Sequence, residues 1–139
     1  MTVFRCTGAA LAALGLFVVG CSSRGPGGSG ETAPEYTVLQ EVGELLRTAG
    51  ASGRPPTKVS DLDRHKSMFP RGYEAVKSGS VVVLWSGPMK GEGEAGQNEA
   101  VLAYEKDVPT GGGFVLLSAG TVKRMTADEF KSAPKAGKK

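Results

Sequence analysis

Four short candidate strands follow one another in the second half of the chain, and no helical pattern separates them. They are Ser80–Trp85 (SVVVLW), Ala100–Glu105 (AVLAYE), Phe114–Leu117 (FVLL) and Thr121–Met125 (TVKRM), with Glu74–Lys77 as a shorter fifth candidate. Parallel strands need a long crossover connection, so consecutive strands without one pair antiparallel. The sequence therefore predicts a small antiparallel sheet of three to five strands, with the β-branched run SVVVLW as its central strand.

The ends of the last two strands carry strong local signals. Residues 118–120 (SAG) predict a hairpin in which the glycine takes a positive φ. Residues 126–129 (TADE) have the pattern of a capping box, and Met125 and Phe130 stand where a hydrophobic staple places its two members. These signals predict a short final helix directly after the sheet.

The segment Tyr36–Thr48 has apolar residues at helical spacing and charged residues between them. This pattern predicts an amphipathic helix with one face on the sheet. Gly50 and Gly53 end it, and the Pro55-Pro56 pair prevents it from restarting. The apolar positions are Leu39, Val42, Leu45 and Leu46.

A short second helix is predicted after the prolines. Thr57 is placed to cap it, and Ser60 with Asp63 three residues later is a competing cap pattern. The segment Phe69–Gly72 (FPRG) is predicted to end this piece in a turn. We therefore expect one α+β domain, in which both helices pack on the sheet. Its shared buried face is expected to contain Leu39, Val42, Leu46, Val82, Leu84, Leu102, Phe114 and Leu116, with Val81 and Val83 on the other face.

The first twenty residues differ in composition from the rest of the chain. Arg5 is followed by an uncharged stretch rich in Ala, Leu, Phe and Val that runs to Val19. A positive residue before a short apolar stretch is typical of a secretory signal peptide. The alternative is an uncleaved membrane helix, because the uncharged stretch from Cys6 to Ser23 is about long enough to span a bilayer.

This apolar stretch ends in residues 18–21 (VVGC), which resemble the lipobox of bacterial lipoproteins. The resemblance implies cleavage between Gly20 and Cys21 and attachment of a diacylglyceryl group to the Cys21 thiol. Two or three acyl chains hold a protein stably on a bilayer, whereas one chain is marginal. We expect a protein anchored by lipid in the cell envelope, on its periplasmic or extracellular face. In a bacterium with two membranes, Ser22 after the cysteine favours the outer one.

The sequence divides into four parts on this basis. Residues 1–20 are the lipoprotein signal peptide, and 21–34 are the acylated cysteine with a flexible Gly/Ser/Pro tether. Residues 35–132 form the single small α+β domain. Residues 133–139 (APKAGKK) are predicted to be a basic, disordered tail.

Charge and cysteine content exclude several classes of function. The formal net charge is +3 at pH 7 in 139 residues, which gives no argument for nucleic-acid binding. Cys6 and Cys21 both lie in or beside the first apolar stretch, so the folded part has no disulfide framework. We expect no cofactor, no metal and no enzymatic activity.

Residues 91–96 (GEGEAG) match the dinucleotide fingerprint G-x-G-x-x-G. That fingerprint needs a strand directly before it and a helix directly after it. Here residues 86–90 intervene, a strand follows, and Glu92 and Glu94 would repel a pyrophosphate. The pattern instead predicts that residues 87–97 are a solvated hairpin loop, dispensable to the fold.

His65 is the single histidine and a candidate metal ligand. Asp61, four residues earlier, would share a helix face with it, but a catalytic metal site usually has three protein ligands. A Ser-His-Asp arrangement is no better supported, because neither Ser60 nor Ser67 lies on a recognisable nucleophile elbow. An exposed polar helix face is the favoured interpretation.

Aromatic and charged residues give weaker candidates. Trp85, Tyr73 and Tyr104 would bind a peptide or glycan if they formed one patch, although such residues are more often core members. Three glutamates are candidate calcium ligands, but their spacing matches no standard calcium-binding loop. Four lysines near the C-terminus are candidates for contact with anionic lipid, but dispersed lysines are first of all a feature that keeps a protein soluble. The residues are Glu92, Glu94 and Glu99 for calcium, and Lys131, Lys135, Lys138 and Lys139 for lipid.

Residues 100–125 (AVLAYEKDVPTGGGFVLLSAGTVKRM) resemble the C-terminal hairpin of pseudopilin-like bacterial secretion proteins, whose turn reads Ala-Asp-Gly-His-Val. In that family a strand similar to VLAYE precedes a Gly-rich loop and a strand-turn-strand unit. Gly120 and Val122 match the turn, whereas Ala119 and Thr121 replace the aspartate and histidine. The resemblance implies a pilin-like head, and here we expect that head on a lipid anchor.

These observations favour a non-enzymatic envelope lipoprotein with a structural or partner-binding role. Its partners are expected to be the bilayer, through acylated Cys21, and an envelope protein. The first alternative is a pseudopilin-like subunit of a type II secretion or pilus-type apparatus, which would retain residues 1–20. The second is a small ligand-binding or enzyme domain, which needs a cluster of titratable groups in a pocket.

Overall fold

The structure of the chain is a computed structural model that describes residues 34–89 and 99–137. The signal peptide, cleavage and lipidation at Gly20 and Cys21, and the loop at 91–96 lie outside the described residues and stay predictions. In chain order the elements are α1 (Pro34–Gly50), a 3-10 helix (Val59–His65), α2 (Pro70–Ser78), β1 (Val81–Val83), β2 (Val101–Glu105), α3 (Val108–Gly111), β3 (Gly113–Leu117), β4 (Val122–Met125) and α4 (Ala127–Ser132).

The four strands form one antiparallel sheet in the order β1-β2-β3-β4. This arrangement confirms the predicted α+β class. The prediction that Ser80–Trp85 is the central strand is wrong, because β1 spans three residues and lies at an edge of the sheet. A continuous apolar run indicates a strand covered on both faces, and it does not indicate how many strands lie beside it.

The first helix confirms the amphipathic pattern and is two residues longer at each end than predicted. Its buried residues include Leu39, Val42, Leu45 and Leu46. Gly43, in the middle of the helix, faces the sheet, where an added Cβ would lie 3.2 Å from Cδ1 of Leu116. Within the described residues, no helix combines the length and the apolar content needed to cross a bilayer.

Both faces of the sheet are covered by other elements. The helices α1 and α2 and the 3-10 helix cover one face, and α4 packs against the other together with Val108 of α3 and Ala133. A β-bulge in β2 changes which of its residues point to each face. Val101 pairs with Leu117, and Ala103, two residues later, pairs with the very next partner residue, Leu116. The extra residue, Leu102, therefore lies on the α1 face together with Ala103.

The predicted facing of β1 is reversed. Val81 and Val83 lie in the cluster against α1, whereas Val82 is half-buried and Leu84 packs with the opposite cluster. An apolar run without alternation does not specify which residues point to which face. The rest of the predicted core is confirmed: Leu39, Val42, Leu46, Leu102, Phe114 and Leu116 share one cluster.

The segment after the 3-10 helix forms α2, so the predicted turn at 69–72 and the predicted strand at 74–77 are wrong. Pro70 occupies the first helical position, where the missing N–H costs nothing. Gly79 ends the helix with φ 77°. Tyr73 and Val76, three residues apart, are its buried side chains.

The start of α2 is capped by a side chain of α1. Oε1 of Glu41 accepts hydrogen bonds from the backbone N–H groups of Arg71 (2.8 Å) and Gly72 (3.1 Å). The Arg71 Nε also lies 3.2 Å from Oε2 of Glu41. A cap supplied from 30 residues away leaves no local pattern, which explains why the sequence did not indicate this helix.

The capping box at the start of α4 is confirmed. Thr126 Oγ1 accepts from the Glu129 N–H at 3.2 Å, and Glu129 Oε2 accepts from the Thr126 N–H at 2.7 Å. The Thr126 N–H, together with the Thr126 hydroxyl that donates to the same oxygen at 3.0 Å, holds the pKa of the Glu129 carboxyl below its ordinary value. Met125 and Phe130 pack in one cluster, as the predicted staple requires. The hairpin is also present, with Gly120 at φ 92°.

Residues 133–137 are not the disordered tail that their composition predicted, because they lie along β2 beyond the end of β1. The Val101 N–H donates to the carbonyl of Pro134 (2.8 Å), and the Ala136 N–H donates to the carbonyl of Val101 (2.8 Å). Lys135 Nζ donates to the carbonyls of Phe130 and Ala133 near the end of α4. The domain therefore extends over 34–137, with Lys138 and Lys139 outside the described residues.

Candidate functional site

A small apolar pocket lies where α1 ends. One wall is the segment that follows α1, and the other is the segment that follows β1. Its volume is about 150 Å³, comparable to a cavity that holds benzene. The lining residues are Leu46, Gly50, Gly53, Pro55, Pro56, Val83, Leu84, Trp85, Ser86, Gly87, Pro88, Met89 and Leu102.

The two walls are joined through the backbone. The Ser86 N–H donates to the carbonyl of Pro56 at 3.3 Å. Ser86 has φ 68°, and it is the one non-glycine residue with a positive φ in the described ranges. Such a conformation costs free energy in an L-residue and persists where the surroundings impose it, often at functional sites. The mouth of the pocket is therefore held in a specific, strained geometry.

The C-terminal segment packs against the wall of the pocket that is formed by the residues after β1. A Cβ on Gly87 would lie 2.5 Å from Cβ of Ala136 and 2.9 Å from Cδ1 of Leu102. A Cβ on Gly137 would lie 2.5 Å from the carbonyl oxygen of Trp85. Both close approaches require glycine. The start of the predicted dispensable loop is thus packed into the domain at Gly87, and residues 90–98 lie outside the described residues.

The chemistry of the pocket is that of a binding site. Of the described residues that line it, none has an ionisable side chain. The indole N–H of Trp85 and the hydroxyl of Ser86 make no hydrogen bond within 34–89 and 99–137. Arg54 lies between two lining residues, Gly53 and Pro55, and is exposed. An apolar cavity with unused donors at its mouth suits an apolar group that has an acceptor beside it.

The three aromatic residues proposed from the sequence do not form one patch. Tyr73 lies on α2, and its hydroxyl donates to Asp63 Oδ1 at 2.6 Å, which raises the pKa of Tyr73. Tyr104 lies on the other face of the sheet, with its ring centroid 4.7 Å from that of Phe130. Only Trp85 lines the pocket, so the first two are structural residues.

The predicted second helix is present as the 3-10 helix, and its polar groups serve the fold. Asp61 Oδ2 accepts from the Thr57 N–H (2.9 Å), the Thr57 hydroxyl (3.0 Å) and the Lys58 N–H (3.3 Å). These bonds, led by the Thr57 backbone, hold the pKa of Asp61 below its ordinary value. Thr57 is therefore a donor to Asp61 and not the predicted cap. His65 is half-buried, and Ser60 and Ser67 are exposed.

Wider clefts open to solvent elsewhere on the described residues. One lies near the start of α1 and contains Glu35, Glu105 and Asp107. Another lies around Gly111–Gly113, with Arg124 and Glu129 among its lining residues. In the described part of the chain, no three His, Cys, Asp or Glu side chains are placed to hold a metal ion. Of the predicted calcium ligands, Glu99 is half-buried, and Glu92 and Glu94 lie outside the described residues.

Comparison with known proteins returned no matching family model, no matching curated protein and no matching solved structure. The site is therefore interpreted from its own geometry. Sequence reasoning had singled out Trp85 but not the Pro55-Pro56 pair or Met89, because these residues meet only after the chain folds. The usable signal was a proline pair next to a helix end and a tryptophan at a strand end.

Proposed function

We propose that this chain is a lipid-anchored protein of the bacterial cell envelope that holds a partner protein, without catalysis, in the pocket beside Trp85. The anchoring part of this proposal is supported by Gly20-Cys21 at the end of an uncharged stretch, followed by a Gly/Ser/Pro tether. The binding part is supported by the apolar lining of the pocket and the strained residue at its mouth.

The proposal depends on where the pocket lies relative to the tether. The tether joins the domain at Pro34, the first residue of α1, and the pocket lies at the other end of that helix, beside Leu46 and Gly50. A helix of 17 residues is roughly 25 Å long at 1.5 Å per residue. An anchor at Cys21 would therefore attach to the domain at the opposite end of α1 from the pocket.

The binding claim is tested by crosslinking at one position in intact cells. Pro88 lines the pocket and is exposed, so a photo-reactive residue there would meet the partner. We expect one discrete crosslinked protein from position 88. A photo-reactive residue at Ser132, exposed on α4, is the matched control and should give none. Equal crosslinking from both positions, or none from 88, would contradict the proposed binding site.

A further inference from the structure

Residues 133–137, which are named the strap below, pair with β2 where β1 does not reach. The last residue of β1, Val83, pairs with Ala103. Two residues away on β2, the backbone N–H and carbonyl of Val101 both bond to the strap, at 2.8 Å each, in a parallel bridge. The strap therefore covers a part of β2 whose backbone would otherwise be an open sheet edge.

A charged side chain within the strap fixes it to α4. Lys135 Nζ donates to the carbonyls of Phe130 and Ala133, the second at 2.7 Å, and lies 4.3 Å from the centroid of the Phe130 ring. An ammonium group is stabilised both by the last carbonyls of a helix and by the face of an aromatic ring. Lys135 does not belong to the described pocket lining, so its replacement loosens the strap without changing a residue of the pocket.

The far end of the strap lies against one peptide unit of the pocket wall, the unit that joins Trp85 to Ser86. An added Cβ on Gly137 would lie 2.5 Å from the carbonyl oxygen of this unit, so Gly137 packs directly on that oxygen. The N–H of the same unit donates to the carbonyl of Pro56 at 3.3 Å. Pro56 therefore contacts one side of the peptide plane, and the strap contacts the other.

The orientation of this peptide unit sets the strained backbone angle of Ser86. The angle φ describes how the preceding peptide plane is rotated relative to the rest of the residue, and at Ser86 it is 68°. An L-residue keeps such a value only where its surroundings impose it. The hydrogen bond to Pro56, at 3.3 Å, is longer than the usual range. The contact with Gly137 is therefore the second constraint that this conformation needs.

We propose that the strap is a conformational device that controls the shape of the pocket. Docked on Val101, it holds the Trp85–Ser86 peptide in the strained orientation; released, it lets Ser86 relax and the wall of the pocket move. The contacts of the strap favour docking and the strain at Ser86 opposes it, so the two states are balanced against each other. As regulation of binding this inference rests on the proposed function, whereas the two shapes of the pocket do not depend on it.

The first test releases the strap and reads the wall, in the full chain in detergent micelles. Ala136→Asp should release it, because the carboxylate would be placed where the Ala136 side chain meets Gly87. We expect the Val101 amide to lose its protection from hydrogen exchange, measured by NMR. The emission of Trp85, the single tryptophan of the chain, should shift to longer wavelength, and its quenching by acrylamide should increase. Ser60→Asp, at an exposed position of the 3-10 helix, is the matched control and should change neither.

The second test changes the balance in both directions by small steps. Ser86→Gly removes the strain without touching the strap, and it should slow exchange of the Val101 amide by about three-fold or more. Lys135→Met keeps the apolar stem but removes the ammonium group, and it should speed this exchange by about ten-fold. Lys131→Met, at an exposed lysine of α4, is the control and should have no effect. The amides of β3 measure overall stability and should exchange as in the parent.

Two results would overturn the inference. One is unchanged exchange of the Val101 amide in Ser86→Gly. The other is unchanged emission and quenching of Trp85 in Ala136→Asp although the Val101 amide has lost its protection. If Ala136→Asp also speeds exchange in β3, the whole domain is destabilised, and Ser86→Gly alone decides.

The crosslink from position 88 separates this inference from the proposed function. A crosslink in the parent combined with either overturning result would leave the proposed function standing and refute the strap. Absence of the crosslink combined with the expected exchange and fluorescence results would refute the proposed function and retain the strap.

Discussion

Gly72 lies where α2 crosses α1, and its replacement by alanine is expected to push the two helices apart. A Cβ at this position would lie 3.0 Å from the backbone carbon of Glu41, 3.0 Å from the nitrogen of Val42 and 3.2 Å from the Glu41 oxygen. All three are backbone atoms, so no side-chain rotation relieves the contact. The same displacement would lengthen the hydrogen bonds that Glu41 accepts at the start of α2.

The size of the effect follows from two opposing contributions. Overpacking lowers the free energy of unfolding by about 1–3 kcal/mol. The higher helix propensity of alanine raises it by up to about 1 kcal/mol. We expect Gly72→Ala to lower the free energy of unfolding by about 1–2 kcal/mol. In a domain of this size, thermal denaturation followed by circular dichroism should show a shift of about 4–8 °C per kcal/mol.

Gly43→Ala provides the matched control on the partner helix. Its Cβ would meet only the two methyl groups at the end of the Leu116 side chain, the nearer at 3.2 Å. Because that side chain can adjust, the propensity gain should dominate, and the variant should be as stable as the parent or up to about 1 kcal/mol more stable. Equal melting temperatures for Gly72→Ala and the parent would refute the close helix contact.

Three further predictions test other parts of the fold. Gly112→Ala should be destabilising, since Gly112 has φ 74° and an added Cβ would lie 2.8 Å from the Met125 carbonyl oxygen. Gly111→Ala is the control and should not be destabilising, because an added Cβ there meets nothing within 4 Å. Urea denaturation compares the stability of the two variants. Leu102→Ala should cost about 2–5 kcal/mol by the same assay, because this side chain is 2 % exposed. Glu129→Gln should lower the melting temperature at pH 7. The lowered pKa of Glu129 means that its carboxylate stabilises the fold above the unfolded-state pKa and stops doing so as the pH falls through the folded-state pKa, so the parent and Glu129→Gln should converge in acid.

Local signals explain which elements the sequence predicted correctly. The capping box at 126–129 and the hairpin at 118–120 depend on residues close together in the chain, and both are present. The amphipathic pattern of α1 depends only on its own periodicity. These elements, with the consecutive strands, were enough to predict the α+β class.

Contacts between distant residues explain the errors. The start of α2 depends on Glu41, 30 residues earlier. The position of residues 133–137 depends on their hydrogen bonds to Val101 in β2. The reversed facing of β1 arises because three consecutive valines show no alternation. The pocket joins segments from three parts of the chain, so only Trp85 was identified in advance.

The central claim is that the mature protein begins at an acylated Cys21, and the intact mass of the protein extracted from membranes tests it most directly. We expect the mass of residues 21–139 plus the lipid, with processing abolished in Cys21→Ala and unaffected in Cys6→Ala. An unmodified full-length mass would contradict the account. It would instead favour the pseudopilin-like alternative, which retains residues 1–20.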